Sequence, residues 1–146
     1  MTERKDCVFC GLLTGRLRSS VVFNDARLMG VMALRPTHVG HVLLFPAEHV
    51  EDFSVLDQAT LGHLLHVAAR LKTAICRAVQ CDDFQLLINQ GAFTGQKEDC
   101  RHLHVHLIPL SGPVDQGVRR AEASRAELDA AARDIVRAAN AQADEP

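Results

Sequence analysis

The chain has 146 residues, 47% of them hydrophobic and 23% charged, the range of one globular domain long enough to bury a core. A formal net charge of −2 gives no electrostatic pull toward nucleic acid or an anionic membrane, and six Phe without Trp or Tyr make a poor platform for stacking single-stranded bases. No stretch is apolar enough to span a bilayer and residues Met1–Asp6 are too polar for a signal peptide. The expected location is therefore cytoplasmic, with the five Cys as thiols or metal ligands rather than disulfides.

Cys7-Val8-Phe9-Cys10 opens the folded part as a Cys-x-x-Cys, half of a zinc site or a redox pair, and alone it decides between neither. Leu12–Ser20 reads as a short helical turn leaving through a Gly- and Ser-containing loop. Ser20–Phe23, Asn24-Asp25 and Arg27–Leu34 read as strand, turn, strand. Pro36 stops the second strand and Gly40 permits a turn into the apolar strand His41–Phe45, which Pro46 ends ahead of the loop Ala47–Val50. Asp57 or Ser54 caps a long helix, Gln58–Val79, whose one apolar face carries Leu61, Leu64, Leu65, Ala68, Leu71, Ile75 and Val79. His63 and His66 lie beside that face and read as helix-flank or surface residues.

Phe84–Ile88 is a strand, and Asn89–Gln96 a glycine-containing loop. Ser111–Gly117 reads as loose, and the Ala-rich, mixed-charge Glu122–Gln142 as a surface helix with a solvated face. Cys76 and Cys81 have no companion at metal spacing and read as packing residues. Neither an internal repeat nor a domain boundary is visible. The order of elements predicts an α+β domain: an antiparallel sheet, one long helix packed on it and a C-terminal helix. One domain would cover residues 1–146, its core running from about 7 to 110 and a C-terminal extension from about 111 to 146.

Arg101–Pro109 alternates polar and apolar with period two, the pattern of a strand with one reactive face and one packed face. His102, His104 and His106 share one face; Leu103, Val105 and Leu107 share the other and should bury against a helix. Three imidazoles in a row multiply the demand for buried hydrogen-bond partners, so a purely packing role is disfavoured. Imidazole near neutral pH serves as nucleophile, acid, base or metal ligand, and spacing alone favours neither catalysis nor metal ligation.

The His102-x-His104-x-His106-Leu-Ile run resembles the signature of the histidine-triad (HIT) superfamily of nucleotide hydrolases and transferases. Gly40–Pro46 with His49, and Asn89-x-Gly91 followed by Gly95-Gln96, resemble its other blocks in the same order, and the likeness runs from about Cys7 to Pro109. The resemblance implies that His104 is the nucleophile, attacking an α-phosphorus to form a covalent phosphoramidate. It implies that His106 and His41 donate hydrogen bonds or a proton near the phosphate and leaving group, with Asn89 and Gln96 as neutral donors. It further implies an apolar base pocket at Phe9, Leu12 and Leu34, a homodimer, and no obligatory catalytic metal. Cys7, Cys10, His49 and His102 match a four-ligand structural zinc set of part of the superfamily, worth on the order of 10 kcal/mol to folding by analogy with small zinc modules. The implied partners are a nucleotide or nucleotidylated small molecule, with no nucleic acid or membrane.

Two departures stand out. Ala33 occupies the place where the family usually has Asp or Asn to hold the ribose hydroxyls, and alanine offers no acceptor. The run between Gln96 and His102 is two residues longer than usual and puts Asp99 where a small hydroxyl donor is common, with Lys97 or Arg101 available to neutralise it. Competing readings are a metal-dependent hydrolase that uses the triad as ligands, and a nucleotide-binding module with weak turnover.

Overall fold

The computed structural model describes residues 4–90, 101–110 and 122–143. Its strands are β1 (Val21–Asn24), β2 (Leu28–Met32), β3 (Val42–Pro46), β4 (Asp83–Ile88) and β5 (Val105–Leu110). They form one antiparallel sheet in the order β1-β2-β3-β5-β4. Its α-helices are α1 (Val8–Leu13), α2 (Gln58–Val79) and α3 (Arg125–Ala143). The fold is thus the α+β class, with the antiparallel sheet expected from the sequence. No helix among the described residues is long and apolar enough to cross a membrane.

Register sorts the side chains onto two faces. Leu28, Met32, Val42, Leu44, Val105 and Leu107 form one face, packed on α2 through Leu64, Val67, Ala68, Leu71, Ala74 and Ile75. Met29, Val31 and Phe45 form the other, covered by Cys7, Phe9 and Cys10 at α1. The alternation read in the sequence therefore points Val105 and Leu107 at the long helix and leaves His106, paired with Leu43, on the α1 side.

Local chemistry sets the element ends. The Asp25 carboxylate accepts from the backbone N–H of Arg27 and Leu28, at 2.8 Å each, and so closes the β1–β2 turn. Asp57, not Ser54, caps α2, its carboxylate accepting from the Thr60 N–H at 2.7 Å; Ser54 lies in a short 3-10 turn, Phe53–Val55. Gly40 holds φ at +91°, and a Cβ there would stand 2.9 Å from Val79 Cγ1 and 3.2 Å from Pro109 Cγ. Glycine alone lets the chain enter β3 this close to α2 and β5.

Several expectations change. The first helix begins at Val8 rather than Leu12, because the Cys7 side chain caps it. The second strand ends at Met32 rather than Leu34, and Pro46 belongs to β3, paired with Leu28. On α2, Leu65 is 49% exposed, and Val67 and Ala74 take its place in the core. The histidine segment joins the sheet only from Val105, so His102 and His104 precede the ladder. The C-terminal helix is no mere surface element: Leu128, Ala132 and Ile135 are buried in the α2-side core. Burying a Leu or Ile side chain is worth about 1.5–3 kcal/mol.

Candidate active site and metal centre

The side chains of Cys7, Cys10, His49 and His102 converge, each offering one ligand atom, with all four atoms within 4.8 Å of one another. Cys10 Sγ lies 3.3 Å from His49 Nδ1 and 3.8 Å from His102 Nδ1, and Cys7 Sγ lies 3.6 Å from His102 Nδ1. A tetrahedral zinc with bonds of about 2.3 Å to sulfur and 2.0–2.1 Å to nitrogen has S···N edges of roughly 3.6 Å, so the donor set fits such an ion. The rings are also aimed for it. His102 Nε2–H donates to the Pro46 carbonyl at 2.8 Å, which leaves the lone pair on the Nδ1 that faces both thiols. Burial pushes His102 down to about 4, so the ring is neutral, as a ligand must be. Burial likewise raises the Cys7 thiol, a preference that a bound dication would reverse.

His104 and His106 do something else. His104 Nδ1–H donates to the His102 carbonyl at 2.8 Å, which puts the lone pair on Nε2. The neighbouring pair is ordered by a backbone donor. The Thr37 N–H gives its hydrogen to His41 Nδ1 at 3.2 Å, so neutral His41 carries its own hydrogen on Nε2. That hydrogen points at His106 Nδ1, 3.0 Å away, and His106 is left with its hydrogen on Nε2. Adjacent imidazoles thus hold opposite roles, a nucleophile-competent nitrogen on His104 and a donor on His106, with ring centroids 4.9 Å apart. Burial, then the neighbouring imidazoles, press His41 down to about 3; burial, then His104, press His106 down to about 4. Burial also lowers His104, against an opposing contribution from its bond to the His102 carbonyl.

A cleft of about 600 Å³ opens beside His104 on the α1 face of the sheet. Phe9, Leu12 and Leu34, the three residues expected to receive a base, all line it, and the Phe9 ring lies 4.7 Å from that of His104. Unanticipated are Arg18, Arg125 and Leu128: the start of the C-terminal helix forms part of the wall. The Ala123 N–H bonds to the Leu34 carbonyl and holds that segment against the cleft. Only a long-range contact brings Arg125 and Leu128 to Arg18, and none of the three has a motif around it.

Asn89 follows Ile88, which pairs with Val105, so its backbone lies level with His104. Asn89 is not among the residues lining the cleft. Gln96, the glycine loop, Lys97, Asp99, Cys100 and the Ser111–Gly117 segment lie outside the described residues. Ala33 is buried. His63 pairs with Asp25 at 2.6 Å away from both clusters, and His66 is exposed. Cys76 and Cys81 are each other's companions, Sγ to Sγ 3.2 Å, at the end of α2. The described residues contain one metal-competent group of His, Cys, Asp or Glu, and His41, His104 and His106 are not in it.

Comparison with known proteins gives the family. Residues 14–112 match the model of the HIT domain. The chain is 24% identical over 129 residues to an uncharacterised HIT-like protein of Methanocaldococcus jannaschii, covering 88% of this chain and 98% of that one. It is 29% identical over 108 residues to adenylylsulfatase HINT3 of Arabidopsis thaliana, covering 74% of this chain and 54% of that one. Among solved structures it resembles a hypothetical histidine triad nucleotide-binding protein from Sulfolobus tokodaii, with TM-score 0.82 and 28% identity over 92% of this chain and 93% of that one. A zinc-bound histidine triad family protein from Mycobacterium smegmatis shares the fold, with TM-score 0.78 and 24% identity over 94% and 95% of the two chains. The match covers more than half the chain and coincides with the histidine cluster: the protein belongs to the HIT family.

Proposed function

We propose that this protein is a nucleotide hydrolase or nucleotidyl transferase that works at an α-phosphate through a covalent nucleotidyl-His104. One observation carries the reading: the His102 carbonyl, 2.8 Å from His104 Nδ1, fixes the tautomer whose lone pair is on Nε2, in a residue that lines the cleft. In the first step Nε2 attacks phosphorus, a P–N bond forms and the bond to the leaving group breaks. The positive charge that develops on the imidazole is stabilised through Nδ1–H by the same carbonyl. His106 Nε2–H donates a hydrogen bond to the departing atom, which leaves with the bonding electron pair and takes any proton it needs from solvent, and His41 keeps His106 in that tautomer. In the second step water, or another acceptor, attacks phosphorus, the P–N electron pair returns to His104 Nε2 as the neutral imidazole, and the acceptor's proton goes to solvent. Splitting one displacement into two lowers each barrier. Asn89 and Gln96 add neutral donors to the phosphate oxygens, and Phe9, Leu12 and Leu34 receive the base.

Cys7, Cys10, His49 and His102 hold a structural zinc that ties α1 to β3 and to the start of β5. The four-donor set is closed and supplies folding energy rather than chemistry. Pairing of two copies would cover Leu86 on the edge strand β4 and Leu65 on α2, both near half exposed, and sedimentation reads that state directly. Candidate substrates are dinucleoside polyphosphates, nucleoside phosphoramidates and adenylylated small molecules, the adenylylsulfatase relative supporting adenylylated sulfate. Turnover of such a panel by wild type and by His104→Ala tests the reading. Wild type should turn over at least one class and the variant none; equal rates in the two proteins contradict it.

A further inference from the structure

We infer that the end of the cleft remote from His104 holds a second anionic group of the substrate, a phosphate on the nucleotide's sugar, between Arg18 and Arg125. The inference rests on the reading of His104 as the nucleophile and concerns which nucleotides the same cleft prefers.

Register gives the length. Val21 pairs with Val31, Val31 with Leu43, and Leu43 with His106, so one row crosses the sheet from β1 to β5. Three strand spacings of about 4.8 Å put Val21 roughly 14 Å from His106. Val31 and Leu43 line the cleft between them, and Arg18 and Ser19 line it just before Val21. Arg125 is fastened at that same end, Nη1 donating to Ser20 Oγ at 3.2 Å and Nη2 to the Arg18 carbonyl at 3.4 Å. One phosphate cannot touch both ends of such a row, whereas a nucleoside phosphorylated at two positions can.

Charge gives the chemistry. Among the described residues lining the cleft, Arg18 and Arg125 are the permanent charges, and no carboxylate joins them. Asp129, one turn after Arg125 on α3, accepts a hydrogen bond from Ser20 Oγ. Sugar hydroxyls are best recognised by an acceptor, and the buried Ala33 beside Leu34 offers none. Guanidinium groups only donate, in a fork that matches phosphate. A site end with two guanidinium groups and no carboxylate among the described lining residues suits an anion.

The test measures binding of a nucleoside 3′,5′-bisphosphate, a 2′,5′-bisphosphate and the 5′-monophosphate to the full chain by calorimetry, alongside labelling of His104 by the matching 5′-phosphoramidates. Wild type should bind one bisphosphate about 10- to 100-fold more tightly than the monophosphate, the scale of charge-assisted hydrogen bonds. Arg18→Ala and Arg125→Gln should each shrink that ratio and Arg125→Lys should restore part of it. Arg18 is exposed, so its variant keeps the test sound if Arg125→Gln fails to fold. Equal binding of all three ligands by wild type, or a preference that survives both variants, overturns the inference even if His104 is labelled. A preference lost in the variants, without labelled His104, upholds the anion site and overturns the catalytic reading.

Discussion

Two groups of buried imidazoles sit on neighbouring stretches of one chain, and their partners set them apart. His102 and His49 turn Nδ1 toward two thiols, and His102 is fixed there by its bond to the Pro46 carbonyl. His104, His106 and His41 are fixed by a carbonyl and a backbone N–H, with no thiol or carboxylate among those fixing contacts. Burial lowers His102 in the first group and His41, His104 and His106 in the second. The groups that orient each ring decide which nitrogen keeps the lone pair, so second partners rather than residue type set the two groups apart.

The strongest way to break this comparison is to remove a ligand of the proposed zinc. Cys7→Ser, or exhaustive chelation, should abolish zinc measured by elemental analysis. It should also cost on the order of 10 kcal/mol, enough to unfold a domain whose net stability is about 5–15 kcal/mol, as read by circular dichroism. Metal-free protein that keeps its melting temperature but loses turnover would exchange the roles of the two groups. Next in size, His104→Ala should lower kcat by about 10⁴-fold or more while zinc content stays at the wild-type level. His106→Ala, which removes the donor, should lower it by roughly 10²–10³-fold.

A pH series sharpens the comparison. His41 is held to about 3 and His106 to about 4, against 6.5 for a free imidazole. Below about pH 6.5 the unfolded chain binds protons that the native pair refuses, so the unfolded state holds more protons and stability rises with pH. The contribution is full above about pH 6.5 and is lost as pH falls toward 4. Chemical denaturation at pH 7 and 5 should show this decline in wild type and a shallower one in His41→Asn, the difference separating it from protonation of the zinc ligands. Identical slopes would deny the shared burial. The smallest effect is expected at His63, whose one-third-exposed pair with Asp25 belongs to neither group. His63→Ala should change stability by less than about 1 kcal/mol and leave zinc and turnover alone.

Legibility in the sequence follows the range of the interaction. Periodicity gave α2 its full extent, Gln58–Val79, because its apolar repeat runs for more than five turns. The alternation at Leu103–Leu107 set Val105 and Leu107 apart from His106, but not the point where pairing begins, which depends on where β3 and β4 can reach. Leu65 was misplaced because helix periodicity bounds an apolar face without saying how far the sheet covers it. The C-terminal helix read as solvated because its buried side consists mostly of alanines around Leu128 and Ile135. Cys7, Cys10, His49 and His102 were gathered by resemblance alone, across nearly the whole length of the likeness. Arg18 and Arg125 escaped entirely: a lone arginine carries no pattern until the fold brings its neighbours to it.

The central claim is tested most directly by acid-free quenching of wild type during turnover of a nucleotide substrate, followed by peptide mass spectrometry under alkaline conditions. The account predicts a nucleotidyl group on His104, attached at Nε2, that disappears on brief acid treatment and is missing from His104→Ala. A nucleotidyl group on another residue, or full turnover with none on His104, would contradict it.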